Sequence, residues 1–232
     1  MKHNTQRDRT IKPKEDKSKF FVIDLDGTIC NIDIVFFKLA YALSYFGLEV
    51  PESFLDEREY ITLTNCGILA EEDETRILAL MDVLKTWETL DPFPGVTEFL
   101  QKISFSGHRI IYLTSRRSCL RGQTTNWFKN NSFPRPPDTE YGNESPSGKV
   151  TLMMNGPLNK KDHLSNILKT GKEVHYFEND PFYVEQACKL GVKNIYSFKE
   201  SYIVNQTFSK KVNLLPKPKT NAYARLSDAI FK

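Results

Sequence analysis

The sequence predicts a doubly wound α/β fold, a parallel sheet covered on both faces, with a small all-helical insertion after the first strand. Three observations carry that expectation. Short continuous apolar runs, rich in aromatic and β-branched residues, recur along the chain as strands buried on both faces do. Helical apolar spacings lie between them, which implies right-handed crossovers. One stretch, 31–91, breaks the alternation and reads as helices alone.

Taken in order, residues 1–18 are almost wholly polar and mix basic with acidic side chains, so a disordered tail is expected. The first strand is Phe20-Phe21-Val22-Ile23. The insertion reads as helices over Ile32–Phe46, near Ser53–Thr64, and over Glu71–Leu90, closed by Asp91-Pro92-Phe93-Pro94-Gly95. Such an insertion sits at the carboxyl edge of the sheet, where open α/β sheets keep their ligand crevices, and so reads as a cap. The core then resumes over 92–200. Val96, Phe99, Leu100 and Ile103 mark a helix, and Arg109–Leu113 the next strand. After an irregular Pro-, Gly- and Ser-rich loop over 132–148 come strands at Val150–Met154, Val174–Phe177 and Asn194–Phe198. Leu164, Ile167 and Leu168 belong to one intervening helix, and Val184, Ala187 and Cys188 to another that ends before Gly191. From 201 to 232 the rhythm is lost. Leu214–Lys219 reads as a linker or strap, followed by a short helix over Ala222–Phe231.

Composition narrows the function classes. With 40% hydrophobic and 26% charged residues the chain can build an ordinary soluble core. Its 32 basic and 29 acidic residues nearly balance, which gives no ground for an acidic membrane or a nucleic acid as partner. Cys30, Cys66, Cys119 and Cys188 are scattered without a C-x-x-C pair, which argues against a zinc site or a disulfide framework and for a reducing compartment. The longest apolar stretch, Ile32–Leu48, is broken by Asp33, Lys38 and Ser44, too interrupted to span a membrane. The N-terminus has no apolar signal region, so the expectation is a cytoplasmic protein.

The chemistry concentrates at strand ends. Asp24 and Asp26, one residue apart after the first strand, can point into one pocket, and Gly27 lets the backbone turn sharply beside them. Paired carboxylates suit a hard cation, and equally a nucleophile with a proton shuttle; Asp and Gly are also ordinary turn residues. Asp24-Leu25-Asp26-Gly27-Thr28 resembles the first motif of the haloacid dehalogenase (HAD) superfamily of phosphohydrolases. Thr114, ending the strand run Ile110–Leu113 and followed by Ser115 and Arg116, resembles the second motif. Lys160 or Lys161 before Leu164 resembles the third; both suit the helical face, and the sequence leaves the choice open. Glu178-Asn179-Asp180 approximates the acidic fourth motif, where the family usually has Asp at the first position.

The resemblance implies a HAD-like core and a set of roles. Asp24 attacks phosphorus, and Asp26 protonates the leaving oxygen and then activates water. Thr114 binds a phosphoryl oxygen, with Ser115 and Arg116 beside the substrate, and the lysine balances charge. Mg²⁺ is held by Asp24, Asp26 through its main-chain carbonyl, and Glu178, with Asp180 as a further carboxylate. Arg116 and Arg117 read equally as steering groups for a polyanion and as surface charge.

The function so implied is a Mg²⁺-dependent phosphatase acting on a nucleotide or other small organic phosphate through an aspartyl-phosphate. A polynucleotide 3′-phosphatase is less favoured, because a cap encloses a small substrate better than a polymer end. A weakly catalytic binding or scaffold protein is the alternative that Glu178-Asn179 raises. Dehalogenation is disfavoured by Asp26, since the dehalogenases have no alkoxide to protonate.

Overall fold

Alternate residues of each central strand enter two different hydrophobic clusters, which is why their sequences are continuously apolar. In the computed structural model, Phe21 and Ile23 of β1 (Phe20–Ile23) lie in one cluster, and Phe20 and Val22 in the other. Ile110 and Tyr112 of β2 (Arg109–Thr114) separate from Ile111 and Leu113 in the same way. The structure describes residues 18–32, 71–136, 149–154, 160–198 and 212–215, with Tyr223, Leu226, Ser227, Ile230 and Phe231. Outside them lie the tail read over 1–18 apart from Ser18, the first two insertion helices apart from Ile32, and most of the loop read over 132–148.

Six parallel strands form one sheet in the order β3-β2-β1-β4-β5-β6. Here β3 is Val150–Met154, β4 Val174–Phe177, β5 Asn194–Phe198 and β6 Val212–Leu215. The first five fall where the apolar runs place them. The sixth is a finding, because Val212–Leu215 lies in the C-terminal extension and overlaps the expected strap. It pairs in register with β5, Ile195 opposite Val212 and Phe198 opposite Leu215.

Helix α1 (Glu71–Val83), helix α2 (Val96–Phe105) and helix α3 (Arg121–Asn130) supply Ile77, Phe99 and Trp127 to the first cluster, with Tyr223 and Leu226. Helix α4 (Lys160–Leu168) and helix α5 (Pro181–Lys189) supply Leu164, Ile167, Val184 and Ala187 to the second. The sheet is therefore wound on both faces, as expected. No described helix is long and apolar enough to cross a membrane.

Two details place the site. Asn31 N–H donates to the Asp91 carbonyl (3.1 Å) and Phe93 N–H to that of Ile29 (3.0 Å), so the chain returns to the core beside the point where it left. Strand order reverses at β1, whose neighbours are β2 and β4, and the crevice of such a sheet opens beyond the carboxyl ends of these strands.

Trp127 is wholly buried, and its Nε1–H donates to the Leu90 carbonyl at 2.7 Å. Trp127→Ala leaves a large cavity and an unpaired carbonyl, and is expected to cost about 3–5 kcal/mol, read as a lower urea midpoint.

Candidate active site

Three strands end in the residues that the motifs single out. Backbone ladder bonds run on past β1 and β4: Asp24 N–H donates to Phe177 carbonyl (3.0 Å) and Glu178 N–H to Tyr196 carbonyl (3.1 Å). The two carboxylates are thus fixed on adjacent strands. Between them lies Lys160, at the start of α4, with Nζ 2.7 Å from Asp24 Oδ1 and 2.9 Å from Glu178 Oε2. All three side chains are at most 5% exposed. A cation at a helix N-terminus opposes the helix dipole, so these two carboxylates are what hold the ammonium there. Lys161 is exposed, so it is Lys160 that the structure brings against the carboxylates.

Each carboxylate has further partners. Thr28 Oγ1 lies 3.0 Å from Asp24 Oδ2 and 2.9 Å from Asn179 Oδ1, and accepts from Asn179 N–H at 3.1 Å. Glu178 Oε2 also accepts from Tyr176 O–H (2.9 Å), and Oε1 from Asp180 N–H (3.0 Å). Tyr183 covers the ammonium, its ring centroid 4.4 Å from Lys160 Nζ, and its hydroxyl reaches 3.4 Å from Ser115 Oγ. Gly27 has φ 76°, and a Cβ there would lie 2.3 Å from Asn179 Nδ2. The turn therefore needs glycine twice over, for its left-handed backbone and for the close approach of the Glu178–Asp180 loop.

Asp26 does not share the lysine. Its carboxylate takes a forked pair from Arg116, with Nη2 2.7 Å from Oδ1 and Nε 2.9 Å from Oδ2. The Arg116 side chain is 1% exposed, so it is neither a surface charge nor a group free to steer a substrate; this corrects both readings of it. Arg117 does reach the surface, and it pairs with Asp82 of α1. Thr114 is buried and accepts from Arg116 N–H at 3.1 Å. Asp180 caps α5, its Oδ1 accepting from Phe182 N–H at 2.8 Å.

Electrostatics follow from this geometry. Burial pushes the Asp24 carboxyl up to about 7, Glu178 and Asp26 add to the rise, and Lys160 opposes it. Burial pulls the Lys160 ammonium down, but Asp24 and Glu178 outweigh that and leave it raised. With all three ionised, Asp24, Asp26 and Glu178 carry one more negative charge than Lys160 and Arg116 balance. Among the described residues no group of three or more His, Cys, Asp or Glu side chains is arranged to hold a metal. Asp24 and Glu178 are the two carboxylates that the structure brings together, and Mg²⁺, which keeps several waters, needs few protein ligands.

No family model matches the sequence, and no curated protein matches it. Solved structures do. A haloacid dehalogenase-like hydrolase from Streptococcus pneumoniae aligns over 93% of this chain and 99% of its own, at TM-score 0.59 and 14% identity. The fold is HAD-like. A protein described as a beta-phosphoglucomutase, from Thermotoga maritima, covers 90% and 99% at TM-score 0.57 and 17% identity. One described as a phosphatase, from Clostridium acetobutylicum, covers 92% and 98% at 0.58 and 14%. At such identities the likeness concerns the HAD-like architecture, and chemistry has to be argued from the side chains.

Sequence reasoning passed over Thr28, Asn179, Tyr176 and Tyr183. Thr28 and Asn179 stand inside motifs already marked, so their hydroxyl and amide were there to be considered. Tyr176 stands inside a strand run and Tyr183 in no motif, and only the fold shows them against Glu178 and Lys160.

Two outcomes test the site without any assumption about turnover. Asp24 binds a proton more tightly folded, at about 7, than unfolded, near 3.8, so its contribution to stability is full below the unfolded value and is lost as pH rises towards 7. In metal-free buffer, Asp24→Asn should flatten the fall in Tm between about pH 5 and about pH 8. Gly27→Ala should destabilise by at least about 1–2 kcal/mol, measured by chemical denaturation.

Proposed function

We propose that this chain is a phosphatase that passes the phosphoryl group of a small phosphomonoester to Asp24 and then to water, with Mg²⁺ bound at the same site. The observation that carries the reading is the lysine held between two buried carboxylates at a strand-order reversal, 2.7 Å from Asp24. Phosphoryl transfer asks for positioning and charge neutralisation more than for covalent machinery. A fixed nucleophile beside a buried ammonium offers both.

Asp24 would attack phosphorus, and the leaving oxygen would depart with its bonding electrons and a proton from Asp26. Asp26 would next take a proton from water as that water displaces phosphate from Asp24. Thr114, at the end of the neighbouring strand, is the donor for a phosphoryl oxygen once its hydroxyl turns from its present contacts. Lys160 would balance the phosphoryl charge, and Tyr183 would keep water from the ammonium. Asp24, Glu178 and the Asp26 carbonyl would hold the metal, and Mg²⁺, when bound, neutralises charge on the phosphoryl oxygens. Asp180 is assigned to capping α5. A small substrate is preferred to a nucleic-acid end, and cysteines kept as thiols fit a cytoplasmic setting.

A second reading, a binding protein with little turnover, is favoured by one observation: Asp26, the group that would move protons, has both carboxylate oxygens bonded to Arg116. A hydrolysis screen over nucleotides, sugar phosphates and a 3′-phosphorylated oligonucleotide separates the two. The phosphatase reading expects Mg²⁺-dependent release of phosphate from at least one small substrate, and loss by at least about 10³-fold in Asp24→Asn. Lys160→Met should fall by at least about 10²-fold. Activity equal to wild type in Asp24→Asn would refute the mechanism, and tight Mg²⁺ binding with no turnover would favour the second reading.

A further inference from the structure

The Arg116 guanidinium connects two parts of the molecule that the reaction does not obviously join. On one side it forks onto Asp26. On another, its central carbon lies over the Trp87 ring at 4.9 Å and over the Trp127 ring at 5.1 Å. Nη1 donates to Thr124 Oγ1 at 3.1 Å, and Nη2 stands 3.8 Å from Cys30 Sγ. Every described neighbour of this cation therefore fixes its plane, and with it the orientation of Asp26.

Trp87 belongs to a 3-10 turn, Thr86–Glu88, in the segment through which the chain returns from the 31–91 insertion. Its own Nε1–H donates to Asp82 Oδ1 at 2.8 Å. Asp82 lies on α1 and also takes Arg117, the residue after Arg116. Gln123 of α3 donates to the Asp82 carbonyl at 3.2 Å. A continuous chain of contacts thus runs from the insertion's last helix through Asp82, Trp87 and Arg116 to Asp26.

We infer that Arg116 is a positioning residue that aims the Asp26 carboxylate, and that the return segment of the insertion sets this aim through Trp87. A buried fork onto a carboxylate fixes both distance and plane, which a point charge such as lysine does not. Asp26 needs that aim most in the second half of the reaction. There it takes a proton from water while the water oxygen bonds to phosphorus, the Asp24–phosphorus link breaks, and inorganic phosphate leaves with Asp24 restored as a carboxylate. In the first half a good leaving group, such as p-nitrophenolate, departs with its electron pair and needs no proton. A mis-aimed Asp26 therefore stalls the enzyme after Asp24 is phosphorylated. This inference rests on the phosphatase reading and deepens it.

The test is p-nitrophenyl phosphate hydrolysis by the full chain with Mg²⁺, followed by acid quench and intact-mass detection of phosphate on the protein. Arg116→Lys is expected to lower kcat by about 10²-fold, the scale of a 1 Å misplacement, with KM within about threefold and phosphorylated protein accumulating. Trp87→Leu, which leaves every charge in place, should accumulate it too, with about a tenfold loss in kcat. It carries the test alone if Arg116→Lys does not fold by circular dichroism. Wild-type kcat in the variant tested, or a lower kcat with no phosphorylated protein, overturns the inference and leaves the phosphatase reading intact. A wild-type chain that does not hydrolyse the ester, or whose hydrolysis is unchanged in Asp24→Asn, overturns the phosphatase reading, and this inference with it.

Discussion

One ammonium group organises this molecule. Lys160 is buried at the start of a helix, where the dipole repels it, and the two carboxylates that follow β1 and β4 make that position tolerable, with the Tyr183 ring over the ammonium. They in turn are tolerable as buried charges because the ammonium lies between them. The strand ladder continuing to Asp24 and Glu178, the glycine turn at Gly27 and the tyrosines 176 and 183 all serve to keep this triad at contact distance. Burial raises the Asp24 carboxyl to about 7, and the neighbouring Glu178 and Asp26 carboxylates add to the rise. A core built for stability alone would avoid such a cluster, whereas buried groups with shifted titration gather at functional sites.

The fold was legible wherever burial on both faces wrote itself into short apolar runs. Phe20–Ile23 and Arg109–Thr114 could be read because successive side chains serve opposite cores. Val212–Leu215 could not. It is a four-residue strand with Asn213 in its middle and Pro216 after it, and its strandness comes from pairing with β5 rather than from its own pattern.

The site divides along the same line. Asp24, Thr114 and Glu178 were legible because each ends a strand, and strand ends converge at one edge of a parallel sheet. Lys160 and Lys161 could not be told apart, since both lie a helical step from Leu164, and only burial separates them. Arg116 was misread for a related reason. An arginine after a strand has the appearance of surface charge, and nothing local announces that Trp87 and Trp127, distant in sequence, close over it. Contacts between residues far apart in the chain are what a periodicity argument has no means to see.

The hydroxyl of Tyr223 donates to the carbonyl of Thr28, the residue that steadies Asp24. These two residues are separated by 195 positions. At roughly 5–20 residues per second of synthesis, about 10 to 40 seconds pass between the making of the Asp24 loop and the making of its brace. The loop that follows β1 is thus braced by a segment made well after it. Until Tyr223 is made, the Thr28 carbonyl lacks this donor.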